Sequence, residues 1–96
     1  MSKPIKSVSE LQKKVLQIRT LKEQTHAEKA AAEEELGKLN FTLSLYQNER
    51  DLDEDTILKI LRMKERVAEL EAFVSGVPAI IQDLERKRAR LLRPGG

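Results

Sequence analysis

Apolar side chains recur along this chain at steps that alternate between three and four residues. The first series runs Val8, Leu11, Val15, Ile18, then Lys22, Thr25, Lys29, Ala32, then Leu36, Leu39, Leu43 and Tyr46. Such spacing keeps every member on one stripe of an α-helix, the seam of a heptad repeat. The two ends of the stripe are strongly apolar and its middle is not. Residues 22 to 32 are rich in alanine, so propensity holds them helical, and this stretch is either loosely packed or reserved for a partner. Ser7 stands three residues before Glu10, the spacing of a capping box. With Pro4 ahead of it, this predicts a helix from residue 7 and a disordered lead over residues 1–6. The helix would span about 40 residues, or ~60 Å at the rise of an α-helix.

The seam breaks at Asn48-Glu49-Arg50-Asp51-Leu52-Asp53-Glu54-Asp55. Asp51 or Asp53 can cap a following helix, and further carboxylates favour its N-terminus. One sharp turn is expected here. A second series follows: Ile60, Met63, Val67, Leu70, Val74, Val77, Ile81, Leu84, Arg88 and Leu91. Only Arg88 interrupts it, which makes it the strongest periodic signal in the chain. Phe73 and Ile80, a heptad apart, widen the stripe, and a widened stripe implies packing against more than one helix. Gly76 and Pro78 fall within this series. Proline removes the hydrogen bond to the carbonyl of Val74, so the helix either breaks, with a short third helix opening at Pro78, or continues with a kink. The heptad phase runs unchanged from Val74 to Val77 to Ile81, which favours the kinked helix.

A short turn between two long helices predicts an all-α fold, an antiparallel helical hairpin or coiled coil over residues 7–92, with a disordered tail at 93–96. Composition agrees: charged residues make up 35%, hydrophobic residues 40% and aromatics 3% of the 96 residues. That mixture suits long exposed helices better than a thick core. A chain this short buries a modest share of its surface alone, so a partner or a second copy would add much.

Charge changes the picture through its layout, because the net value is only +2. Residues 1–22 and 86–96 together carry eleven basic residues against one acidic, and residues 23–85 carry seven against fifteen. In a hairpin both basic segments meet at one end and the acidic turn lies at the other. Arg86, Lys87, Arg88 and Arg90 form the densest basic run. It reads either as a patch for an anionic surface or acidic partner, or as solvated helix faces with cations at a helix C-terminus, where the macrodipole favours them. No aromatics are interleaved with it, which weighs against single-stranded nucleic acid.

Candidate chemistry is sparse. Cysteine is absent, which excludes disulfides and Cys-based zinc sites and fits a reducing compartment. His26 is the single histidine and reads as a surface residue of a helix. Glu33, Glu34 and Glu35 are consecutive, so they point around a helix rather than converge. Asp51, Asp53 and Asp55 match the first positions of a calcium loop, but Thr56 and Arg62 stand where its glycine and chelating glutamate belong, so capping is the better reading. No phosphate-binding glycine loop occurs, and Thr42, Ser44 and Ser75 have no base in a catalytic pattern. No apolar run approaches the ~20 residues of a membrane span. The N-terminus lacks the apolar region of a signal peptide, and neither common lipid anchor is encoded. The expectation is a cytoplasmic, non-enzymatic protein without cofactor or small-molecule substrate. Its partners would be other helical chains, in a homo- or hetero-oligomer. The partner-binding seam would be Val67, Leu70, Phe73, Val74, Val77, Ile80, Ile81 and Leu84.

The stretch Leu52-Asp53-Glu54-Asp55-Thr56-Ile57-Leu58-Lys59-Ile60-Leu61, followed by Lys64-Glu65-Arg66-Val67, resembles the snapin-like coiled-coil subunits of the lysosome-related organelle biogenesis complex. Those proteins similarly show an acidic turn, a Lys-Leu-Leu-like triplet and an Arg-Val pair. Glu35-Leu36-Gly37-Lys38-Leu39 with Leu43 and Tyr46 resembles their preceding helix, and Arg50-Asp51-Leu52-Asp53 the Lys-x-Asp-Leu signature of a sister subunit. The resemblance covers residues 33–85 and implies a subunit of a multi-protein assembly in organelle biogenesis or vesicle trafficking. A second resemblance is to tubulin-binding cofactor A. It rests on Lys22-Glu23 and Glu28-Lys29, on Lys64 through Leu70, and on Val77-Pro78 with Leu84. It implies a small helical chaperone for a globular client. Neither resemblance implies a catalytic residue.

Overall fold

The computed structural model describes residues 3–93, with side chains described from residue 9 onward. The described chain is all-α: helix α1 spans Lys3–Tyr46 (44 residues) and helix α2 spans Glu54–Leu92 (39 residues). They form a helical hairpin. Helix α1 begins four residues before the expected capping box at Ser7, so Lys3 to Lys6 are helical rather than a disordered lead. Pro4 is the second residue of the helix, where its missing N–H is one of the four that have no intrahelical partner anyway, and its fixed φ favours helix entry. Residues 1–2 and 94–96, also expected to be disordered, lie outside the described residues, as does the side chain of Val8. At the other end Arg93 has left α2, and its N–H reaches the Arg90 carbonyl at 3.4 Å.

The turn is built from local hydrogen bonds. Gln47 N–H donates to the Ser44 carbonyl (3.3 Å) and Glu49 N–H to the Tyr46 carbonyl (3.2 Å), which winds α1 down. Asp53 caps α2. Its Oδ1 accepts the Thr56 N–H at 2.9 Å while its carbonyl accepts the Ile57 N–H at 3.0 Å, the first bond of the helix. Glu54 and Asp55 occupy the first turn, where the macrodipole stabilises carboxylates. Leu52 is half-buried and lines a hollow with Leu43, Tyr46 and Ile60, so the loop's one apolar residue folds onto the helices it joins.

Helix α2 runs unbroken through Gly76 and Pro78. No third helix opens at Pro78. The proline is exposed, so the Val74 carbonyl that loses its donor is next to the solvent side of the helix rather than in the core. A Cβ added to Gly76 or to Gly37 would meet no atom within 4 Å, so neither glycine is demanded by a close approach.

The chain divides into two compact units. A terminal unit comprises Met1–Ala27 and Val77–Gly96, and a turn unit comprises Glu28–Gly76. In the terminal unit Ile18, Val77 and Leu84 are buried, and Lys22 Nζ reaches Glu85 Oε1 at 3.4 Å across the two helices. In the turn unit Ala32 and Leu70 are buried, and the Arg66 guanidinium clasps Glu35 through two bonds of 2.7 and 3.2 Å. These five residues are the buried hydrophobic core of the described chain. All five occupy the same position of the heptad, the one that ends each three-residue step.

Candidate partner-binding surfaces

The heptad seam is where the sequence places it. From Leu11 to Tyr46 every seam residue of α1 is buried or half-buried, the polar Lys22, Thr25 and Lys29 included. From Ile60 to Leu91 the same holds in α2, except for the exposed Arg88. The polar middle of α1 is therefore packed inside its own chain. Thr25 satisfies its hydroxyl by donating to the Leu21 carbonyl at 2.8 Å, and Lys22 reaches Glu85.

This changes what the expected partner-binding residues can do. Leu70, Val77 and Leu84 are at most 7% exposed, and Val67, Val74 and Ile81 are half-buried, so α1 already covers this seam. The two flanking residues differ: Phe73 is half-buried and Ile80 is 42% exposed. Among the expected set, Ile80 is the side chain the hairpin leaves most open.

Large apolar side chains are exposed elsewhere. In the turn unit Phe41 and Leu45 lie one turn apart on α1, and Ile57, Leu58 and Leu61 cluster at the start of α2. In the terminal unit Leu16, Leu21, Ile80 and Leu92 are exposed. Leu21 and Ile80, from different helices, line one groove with Thr25, Ala79, Asp83, Leu84 and Lys87. A second groove in the same unit is lined by Lys14, Gln17, Ile18, Lys87, Arg90 and Leu91. The sequence counts Lys14 in the first basic segment and places Leu61 in the family resemblance, but it assigns neither of them, nor Leu21 or Phe41, to a shared surface. Each lies off the seam, and only pairing the two helices in register shows which off-seam residues stand together.

The basic run Arg86, Lys87, Arg88 and Arg90 is exposed, and Lys87 pairs with Asp83 at 3.2 Å. Lys14 shares a groove with Lys87 and Arg90, so cations of the first and last segments do come together. By unit, the terminal residues hold eleven basic against four acidic side chains and the turn unit seven against twelve. In the turn unit, hydrogen bonding to Arg66 holds the Glu35 carboxyl below its ordinary range and raises Arg66 in turn. Asp53 is also held low, by hydrogen bonds from the Thr56 side chain and then its N–H. His26 is exposed. Among the described residues no three His, Cys, Asp or Glu side chains converge as metal ligands, and no helix is long and apolar enough to cross a membrane.

Comparison with known proteins places nothing beside this chain: no family model, no curated protein and no solved structure matches it.

Proposed function

We propose that this protein is a non-enzymatic helical subunit that holds other helical chains in a multi-protein assembly. One observation supports the reading above the rest. Among the described residues nine large hydrophobic side chains are more than two-fifths exposed, whereas five hydrophobic residues are buried. Single exposed apolar residues are ordinary, but pairs at helical spacing, such as Phe41 with Leu45 and Ile57 with Leu61, form stripes of the kind a partner helix covers. The resemblance of residues 33–85 to organelle-biogenesis subunits makes organelle positioning or trafficking the setting in which to seek those partners.

The test is purification of the tagged chain from its native cell, followed by gel filtration. The expected result is a stable complex of fixed stoichiometry that Phe41→Asp/Leu45→Asp or Ile57→Asp/Leu61→Asp dissolves while helicity is unchanged. A complex indifferent to both double variants would overturn the role of these stripes. A transient one-to-one association with a globular client would favour a chaperone instead.

A further inference from the structure

We propose that the terminal unit carries a docking groove for an acidic amphipathic helix of a partner chain. The proposal rests on the reading of this protein as a holder of helical chains, and it names the chemistry of one of them at a surface separate from the stripes of the turn unit. Three hollows of the terminal unit run together. The first is lined by Lys14, Gln17, Ile18, Lys87, Arg90 and Leu91. The second lies along α1 and is lined by Lys13, Leu16, Gln17, Thr20, Leu21 and Gln24. The third takes Leu21 and Thr25 from α1 and Ala79, Ile80, Asp83 and Lys87 from α2. Gln17 belongs to the first and second, Leu21 to the second and third, and Lys87 to the first and third. These shared walls make one continuous surface, drawn from both helices within one unit.

The surface is apolar in one part and cationic in another. Leu21 and Ile80 are 47% and 42% exposed, and Leu16, which shares a hollow with Leu21, is 59% exposed. Lys13, Lys14 and Arg90 are exposed and form no ion pair among the described residues. Asp83 is the one carboxylate lining the three hollows, and Lys87 neutralises it at 3.2 Å. Elsewhere in the unit Glu23 pairs with Arg19 and Glu85 with Lys22, so Glu10 is the unit's one acidic side chain outside an ion pair among the described residues. An occupant must therefore bring apolar side chains to Leu16, Leu21 and Ile80 and carboxylates to Lys13, Lys14 and Arg90. Two helices packed about 8–10 Å apart leave a furrow that a third helix fills. From Lys14 to Thr25 the furrow follows about three helical turns. Apolar side chains at helical spacing can enter along two of those turns while acids on the third reach the cations. An anionic bilayer is a poorer match. It is flat, and Arg86 and Arg88, about 200° apart around a helix, cannot both face it. Neither arginine lines any of the three hollows.

Two synthetic helical peptides of about four turns test the groove with the full chain, by fluorescence anisotropy. One carries a leucine stripe followed by glutamates, and the other the same stripe followed by lysines. The glutamate peptide should bind with a micromolar Kd that weakens as salt rises, and the lysine peptide should bind at least about tenfold more weakly. Lys14→Glu/Arg90→Glu should reverse that preference. Ile80→Asp should weaken the glutamate peptide by about tenfold with helicity unchanged by circular dichroism. Arg86→Glu/Arg88→Glu, equal in charge but outside the groove, should cost far less. Equal losses from the two charge pairs would show undirected attraction and overturn the groove, as would no binding of the glutamate peptide or a preference that does not reverse. Sedimentation with phosphatidylserine but not phosphatidylcholine vesicles, abolished by Ile80→Asp, would overturn it in favour of a lipid surface. Phe41→Asp/Leu45→Asp should leave peptide binding intact. A native complex that those two substitutions dissolve, beside a chain that ignores the peptide, sinks the groove and leaves the proposed function standing.

Discussion

The terminal and turn units use the same two helices and the same heptad seam, and they hold together differently. The terminal unit buries three aliphatic side chains, Ile18, Val77 and Leu84, and spans its helices with one 3.4 Å contact between Lys22 and Glu85. The turn unit buries Ala32 and Leu70, a small residue and a large one, and adds the two-bonded Arg66–Glu35 clasp and the Asp53 cap. One relies on apolar burial and carries excess positive charge. The other relies more on polar geometry near the turn and carries excess negative charge. A continuous seam therefore fixes which residues face inward without fixing what kind of interaction dominates along it.

The comparison can be broken most severely at Val77, which is 2% exposed. Val77→Asp places a carboxylate in the driest part of the terminal unit and should lower unfolding free energy by about 4 kcal/mol in urea titration. Leu70→Ala, in the turn unit, should lower it by about 2 kcal/mol, the low end for such truncations, because the surrounding seam is only half-buried. If Leu70→Ala proves the more damaging, the core is distributed opposite to the burial pattern. Pro78→Ala restores a donor to the Val74 carbonyl in a helix that is already continuous, so it should raise stability by about 2 kcal/mol, less what the freer unfolded chain takes back. A loss would mean that α2 breaks at this point. Gly37→Ala in the turn unit should gain a further ~0.5–1 kcal/mol, since its Cβ meets nothing.

The smallest effect is expected from pH, and it has a sign. Glu35 and Asp53 have lowered pKa values in the folded chain, so their contributions are present above the ordinary carboxylate pKa and are lost as pH falls through the folded values. Asp53 is exposed and the Glu35 side chain keeps 42% of its surface in solvent, which keeps the effect small. Melting followed by circular dichroism from neutral to acidic pH should show the decline, and Glu35→Gln with Asp53→Asn should flatten it.

Most of the hairpin was legible in the sequence because burial here follows spacing. The spacing marks the seam positions from Leu11 to Tyr46 and from Ile60 to Leu91, and all but Arg88 are buried or half-buried. Continuity at Pro78 is legible from phase, since a break would not require Val74, Val77 and Ile81 to stay in step. The start of α1 differs from the sequence expectation because proline, which ends a preceding helix, is equally compatible with the second position of a new one. The open surfaces were hidden for another reason. Residues such as Lys14 and Leu21 have no apolar periodicity of their own, and their meaning arises from neighbours 73 and 59 positions away, Lys87 and Ile80. The expected partner-binding residues between Val67 and Leu84 are contested by α1, whose complementary stripe meets them at far higher effective concentration.

The distance along the chain between cross-helix contacts imposes an order on assembly. Arg66 and Glu35 are 31 residues apart, while Glu85 and Lys22 are 63 apart. Closing the second loop from an open chain costs about 0.6 kcal/mol more than closing the first. Once the contacts nearest the turn exist, the longer closure reduces to alignment of helices already side by side. The hairpin should thus zip from Asp53 outward, with Ala32 and Leu70 meeting before Ile18 and Leu84. During synthesis α1 emerges whole before any of α2 exists, so its stripe from Leu11 to Tyr46 remains uncovered until the ribosome has passed the turn. The Ala-rich, strongly charged stretch of α1 is the part best suited to remain helical and unaggregated through that interval.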